Sequence, residues 1–217
     1  MLRITQLKRS SEKWLLHCLF WITTTLPLHA ASLGITHQMQ ATIDPASGTL
    51  SVVDEITLPT TIRSLEFSLN SGMTITDSSL DVEQLKSGST RHNSYRISLT
   101  DNQHRLRIAY QGKPVFSGEK SLGQMPQGIL SSKGAYLDGS SAWYPITTLP
   151  IKGLDLTIEH PPQWQVLSIG RLTKDDNRSR WLTQVPHDDI YLIAGPFKTY
   201  SHPHNNLTLS VWLLNDD

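Results

Sequence analysis

From Ile35 onward the chain alternates. Ile35, His37, Met39, Ala41 and Ile43 are separated by Thr36, Gln38, Gln40 and Thr42, the period of two expected of a strand with one face buried. Asp44, Pro45, Ser47 and Gly48 supply turn chemistry. Leu50, Val52, Ile56 and Leu58 then continue on one parity, broken by Asp54. These two runs predict a hairpin. Leu65, Phe67 and Leu69 predict another strand, and residues 73–76 a short one after Asn70, Ser71 and Gly72. Residues 86–93 are polar and predict an exposed hairpin tip, followed by alternation at Tyr95, Ile97 and Leu99 and again at Leu106, Ile108 and Tyr110.

Residues 111–133 contain four glycines and two prolines and predict a long irregular excursion. Beyond them Leu154, Leu156 and Ile158 face one way, and Asp155, Thr157 and Glu159 the other. Pro161 and Pro162 close that strand, since proline cannot donate to a ladder. Residues 166–169 are expected to begin its partner strand, residues 174–178 to form a polar turn, and Trp181, Thr183 and Val185 to follow it. Residues 190–194 are apolar on both parities, as in a central strand buried on both faces. Leu207, Leu209, Val211 and Leu213 predict a last strand. No helix longer than about a turn is expected. Short strands at this spacing, with turn signals between them, predict an all-β sandwich or barrel.

Between the two sets of strands, residues 134–145 crowd glycines, aromatics and a proline together. Gly134 and Gly139 permit backbone angles closed to other residues, and Pro145 fixes its own φ and biases Tyr144 to extended geometry. Rings held on such a loop serve either as a structural plug or as one wall of a binding cleft. Adjacent residues in extended geometry point to opposite sides. One of Trp143 and Tyr144 is therefore expected to anchor the loop in the sandwich and the other to face outward.

The first thirty residues change the compartment. Arg3, Lys8, Arg9 and Lys13 precede an apolar run over residues 14–22, which gives way to Ala30, Ala31 and Ser32. A basic start, a short apolar middle and a small-residue exit form a secretory signal peptide. Residues 1–30 are assigned to it, with an uncleaved N-terminal anchor as the alternative, and residues 31–217 to the mature domain. The expected location is the periplasm or envelope of a bacterium, with no membrane span after cleavage. The mature part holds 15 basic against 18 acidic residues, a formal charge of −3, so it lacks the basic footprint of a nucleic-acid partner. The single cysteine, Cys18, leaves with the signal, which removes disulfides and thiolate metal sites from consideration.

Signatures of chemistry are sparse. No H-E-x-x-H, G-x-S-x-G, G-x-x-x-x-G-K-[ST] or G-x-G-x-x-G occurs. His202 and His204 flank a proline in a turn-rich tract without an indicated third ligand. His187, Asp188 and Asp189 read as a solvated turn.

The pieces in order resemble the N-terminal β domain of M1-family zinc aminopeptidases of the bacterial envelope type. They are the opening hairpin 37–58, residues 106–112, the loop 134–145, residues 154–161 with Trp164, and residues 190–197. The resemblance implies a saddle-like sandwich that supports a thermolysin-like catalytic domain. It implies zinc only in that catalytic domain, whose zinc motif and Gly-x-Met-Glu-Asn motif do not occur in this chain, so no cofactor is expected here and the chain is expected to be inactive alone. The implied partners are an M1-like catalytic domain or a peptide substrate, and the implied cleft residues are Tyr136, Asp138, Trp143 and Tyr144. Family members contact the substrate amine through a Gln or Glu about eleven residues before the proline matching Pro145. Lys133, Gly134 and Ala135 stand there, and Gln127 is seven residues too early. A free-standing envelope sandwich lending a sheet edge to a protein or peptide is the alternative, and a small hydrolase with a site formed only in three dimensions is a third.

Overall fold

Residues 33–86, 89–116 and 128–214 are described by a computed structural model. The signal peptide expected over residues 1–30, Gln127 and the middle of the 111–133 excursion lie outside the described residues. The first half contains β1 (Ile35–Asp44), β2 (Thr49–Thr57), β3 (Ser64–Asn70), β4 (Met73–Ser78), β5 (Val82–Leu85), β6 (His92–Ser98) and β7 (Arg105–Gly112). The second half contains β8 (Ile129–Ser131), β9 (Gly134–Leu137), β10 (Ile151–Glu159), β11 (Gln165–Leu167), β12 (Arg171–Asp175), β13 (Arg178–Thr183), β14 (Leu192–Gly195), β15 (Phe197–His204) and β16 (Leu207–Leu214). One 3-10 turn, Gly139–Ser141, is the helical content of the described residues. The expected all-β class is what the chain adopts.

The opening hairpin forms as its pattern dictates. Asp44 accepts hydrogen bonds from the Ala46 amide at 3.0 Å and the Ser47 hydroxyl at 2.6 Å, and Gly48 takes φ +69 to turn the chain. The strands then pair in register from Thr36 opposite Thr57 to Asp44 opposite Thr49. They form the middle of a seven-stranded sheet ordered β12-β13-β10-β1-β2-β7-β4. β1 and β10 run parallel, and every other pair in this sheet is antiparallel. A register shift between Ile35 and Thr36, which leaves Lys152 without a partner in the ladder, moves the inward phase of β10 from Ile151 to Leu154, Leu156 and Ile158.

Two smaller sheets, β3-β6-β5 and β11-β14-β9-β8, share one core with the inward parity of the large sheet. Met39, Leu50, Ile56, Leu106 and Ile108 from the large sheet meet Leu69 and Ile97 from one small sheet and Leu137 and Leu192 from the other. The outward parity of the large sheet is polar. Gln38, Gln40 and Thr42 lie there beside Arg180, whose guanidinium donates to Asp155 at 2.7 Å, and Arg178, paired with Glu159. β14 is interior to its sheet, as its two-sided apolar pattern predicts.

Several expectations change. The strand at residues 166–169 does not partner β10. Shortened to Gln165–Leu167, it pairs with β14, and β10 pairs instead with β13, Leu156 standing opposite Trp181. After Pro161 and Pro162 the chain crosses to the other sheet. Within residues 111–133 the short strand β8 forms, and β5 forms from the largely polar Val82–Leu85; both are too short or too polar to register as alternation. The tract containing His202, Pro203 and His204 is a strand and not a turn: β15 pairs with β16 throughout its length.

Candidate functional site around the aromatic loop

The loop 134–145 starts as strand and ends as plug. Through β9, Leu137 pairs with Leu192 and Tyr136 with Ile193 on one side, and Tyr136 with Ile129 on the other. Strand parity buries Ala135 and Leu137 and turns Tyr136 outward, 38% exposed. Asp138 then caps the 3-10 turn. Its carboxylate accepts the amides of Ser140 at 3.0 Å and Ser141 at 3.3 Å, and the Ser140 hydroxyl at 2.6 Å. The Tyr136 hydroxyl donates to the same carboxylate at 3.0 Å. That hydrogen bond, ahead of burial, holds the Tyr136 phenol above its ordinary pKa.

Past the turn, Ala142 adopts the left-handed region at φ +48 and ψ +41 while almost wholly buried. This conformation costs a non-glycine residue about 1 kcal/mol or more, so the surroundings must hold it. Asn70, 1% exposed at the end of β3, does so. Its amide nitrogen donates to the carbonyls of Ser141 at 2.8 Å and Val115 at 2.9 Å. Its side-chain oxygen accepts the amides of Val115 at 2.8 Å and Gly72 at 3.0 Å, and its backbone amide donates to the Ala142 carbonyl at 2.8 Å. All of the polar atoms of the carboxamide are satisfied, as burial requires.

Beyond Ala142 the chain bends at Tyr144 and does not continue as extended strand. Trp143 and Tyr144 are both buried, at 0% and 3% exposure, so the expected division between an inward and an outward ring does not hold. Their rings meet edge to face at 5.5 Å. The Trp143 Nε1–H donates to the Ile190 carbonyl at 2.9 Å. The Tyr144 hydroxyl donates to Asp189 Oδ1 at 3.0 Å and accepts the Ile190 amide at 3.2 Å. Asp189 also accepts the Gly139 amide at 2.7 Å. It is therefore a brace across the loop and not part of a solvated turn.

Beneath the plug lies a pair that the alternation concealed. Asp54 keeps the inward parity of β2 and bonds the inward His37 of β1, Nδ1 to Oδ2, at 2.7 Å, with both side chains fully buried. Register explains the match, since Met39 stands opposite Asp54 and His37 is its diagonal neighbour. The Tyr144 ring lies edge-on to the His37 imidazole at 5.8 Å. His37 Nε2, Asp54 Oδ1 and the Tyr110 hydroxyl have no polar partner among the described residues. Burial, and after it the charge of Asp54, holds the Tyr110 phenol well above its ordinary pKa. A His–Asp pair is acid–base equipment in an open cleft, but here it is sealed and no described nucleophile hydrogen-bonds to it.

The four cleft candidates thus divide in two: Tyr136 and Asp138 lie together on the outer side, and Trp143 and Tyr144 lie in the core. His202 and His204 share one parity of β15, whose residues after Phe197 are exposed on both faces, and no group of three or more His, Cys, Asp or Glu among the described residues is placed to hold a metal. The arrangement is a surface pinned from behind, suited to contact.

No protein-family profile and no curated protein matches the chain. Solved structures do. An M1 zinc metallopeptidase from Deinococcus radiodurans, bound to a Tyr-Ser-Ala substrate, superposes with a TM-score of 0.60 at 16% identity, over 83% of this chain and 47% of that one. An aminopeptidase N family protein from Idiomarina loihiensis matches with a TM-score of 0.53 at 15% identity, over 84% of this chain and 32% of that one. Yeast LTA4 hydrolase in complex with Bestatin matches with a TM-score of 0.53 at 13% identity, over 78% of this chain and 29% of its own. The expected fold likeness is thus found, and the chain spans less than half the length of each of these proteins.

Proposed function

We propose that the chain is the non-catalytic β domain of an exported M1-like metallopeptidase, supporting a catalytic domain and shaping its substrate cleft. The observation that carries this reading is the construction of the loop 134–145. Trp143, Tyr144 and Asn70 fix it from the core side, while Tyr136 and Asp138 are presented on the outer side, joined by a 3.0 Å hydrogen bond. A phenol and a carboxylate held without freedom of their own offer a preorganised contact to a neighbouring domain or to a bound peptide, at little entropic cost. The fold likeness to M1 metallopeptidases, with less than half of their length covered, supports the same reading. Export to the periplasm follows from the reading of the N-terminus.

Chemistry in this arrangement belongs to the catalytic partner, since a catalytic zinc needs about three protein ligands and an open position. The test begins with the DNA downstream of the Asp217 codon, which should encode H-E-x-x-H. If that region encodes no peptidase, the supporting role is refuted. With the catalytic domain present, Tyr136→Ala and Asp138→Ala should raise KM for aminoacyl-p-nitroanilides severalfold while leaving the zinc content unchanged. Unaltered kinetics in both variants would remove the loop from the cleft.

A further inference from the structure

β16 exposes large apolar side chains along its whole length. Leu207 is 66% exposed, Leu209 58%, Val211 55%, Leu213 51% and Leu214 49%. Strand parity puts Leu207, Leu209, Val211 and Leu213 on one face. β16 pairs with β15, and no other strand of the described residues lies along its far side. A long apolar edge of this kind is a template for strand addition, and folded proteins ordinarily blunt it with lysine, proline or a bulge. β15 carries such devices. Lys198 and Pro203 lie in it, and the Gln165 amide donates to the Phe197 carbonyl at 3.0 Å while accepting the Thr199 hydroxyl at 3.0 Å. β16 carries none and contains no charged residue. Among the described residues, the hairpin is blunted on one edge and open on the other.

We propose that the open edge of β16 is an interface with β16 of a second copy of this chain, paired antiparallel about a two-fold axis at Ser210. That register sets Leu207 opposite Leu213 of the second copy and Leu209 opposite its Val211. Residues of equal parity then meet, so the two apolar stripes join on one face of a four-stranded sheet. A slip by one residue, Leu207 opposite Leu214, would set Leu213 against Thr208 and Val211 against Ser210 and throw the two stripes onto opposite faces, so the side-chain period selects the register. No charge on β16 opposes the approach. The blunted edge of β15 ends the sheet after two copies, which gives a closed dimer and not a filament.

The size of the contact sets its strength. Edge pairing sets the four aliphatic side chains of each stripe, Leu207, Leu209, Val211 and Leu213, beside those of the second copy, a contact at the low end of specific interfaces, about 1,000 Å² or less, so weak association is expected. This inference is independent of the proposed peptidase role, which needs only the outer side of the loop 134–145.

Sedimentation equilibrium of the purified chain tests it. The mass should rise with concentration from one copy to two and stop there. Leu209→Lys and Val211→Lys, at exposed positions, should each raise Kd about tenfold or more, with an unchanged circular dichroism spectrum. Leu172→Lys on β12 should leave Kd unaltered. A monomer at every concentration up to about 200 µM, a mass that grows beyond two copies, or a dimer indifferent to both lysines would overturn the proposal. So would a chain that is monomeric alone and is bound at β16 by a separately expressed peptidase domain.

Discussion

Replacing Trp143 by alanine asks how firmly the aromatic loop is held from inside. The side chain is fully buried, its indole N–H donates to the Ile190 carbonyl at 2.9 Å, and its ring meets Tyr144 at 5.5 Å. A buried tryptophan removes about 200–250 Å² from water. At about 25 cal/mol per Å² this contributes roughly 5 kcal/mol, and a compact unfolded state together with the area alanine retains reduces it to about 3 kcal/mol. The Ile190 carbonyl, left without its donor, adds about 1 kcal/mol or more. The expected loss is therefore about 4 kcal/mol, within the range of about 3–5 kcal/mol known for such core truncations. Urea unfolding at neutral pH, followed by far-ultraviolet circular dichroism, should show a midpoint lowered by about 2 M with the slope unchanged. Because 4 kcal/mol is a large part of a typical domain's stability, Trp143→Phe provides a second measurement. It keeps most of the ring, loses the hydrogen bond and should cost about 1–2 kcal/mol. A loss below about 1 kcal/mol for Trp143→Ala would show that the loop is not a plug.

Other consequences follow from the same geometry. Tyr144→Phe leaves the Ile190 amide without an acceptor and should cost about 1–2 kcal/mol in the same melt; no measurable change would remove the brace from Asp189. Burial, and then neighbouring carboxylates, raises the phenols of Tyr110 and Tyr144 above their ordinary value. Their contribution is fully present below the unfolded tyrosine value of about 10. It is lost as pH rises further, because the unfolded chain then releases protons that the folded chain retains. Stability should therefore be level from about pH 8 to 9 and fall above about pH 10, and the paired variant Tyr110→Phe with Tyr144→Phe should flatten that fall. The chain alone is expected to hydrolyse no aminoacyl-p-nitroanilide and to hold no stoichiometric zinc; about one zinc per chain, lost on His202→Ala with His204→Ala, would contradict this. Mass spectrometry of the envelope fraction is expected to find an N-terminus at Ala31 or Ser32, and an intact chain from Met1 would show an uncleaved anchor.

The sequence by itself determined the class of this fold and the position of most strands. One-sided burial forces a period of two, and β1, β2, β7 and β10 carry it plainly. It also marked residues 134–145 as singular. What it left open depends on groups far apart in the chain. Parity marked His37 as inward and made Asp54 look like a break, but only the β1–β2 register brings them within 2.7 Å as a buried pair. Asn70 has the local signature of a turn residue, and only the fold brings its carboxamide to Val115 and Ser141. Asp189 read as solvated because its partners, Gly139 and Tyr144, are 50 and 45 residues away. The burial of both Trp143 and Tyr144 depended on partners distant in the chain. In extended chain adjacent side chains diverge, but the chain bends at Tyr144 and both rings enter the core, where Ile190 and Asp189 bond their polar atoms. No local propensity selects a left-handed, buried alanine. The tertiary structure selects it, because Asn70 and Ile190 satisfy the polar groups around it and the packing of two large rings outweighs the strain.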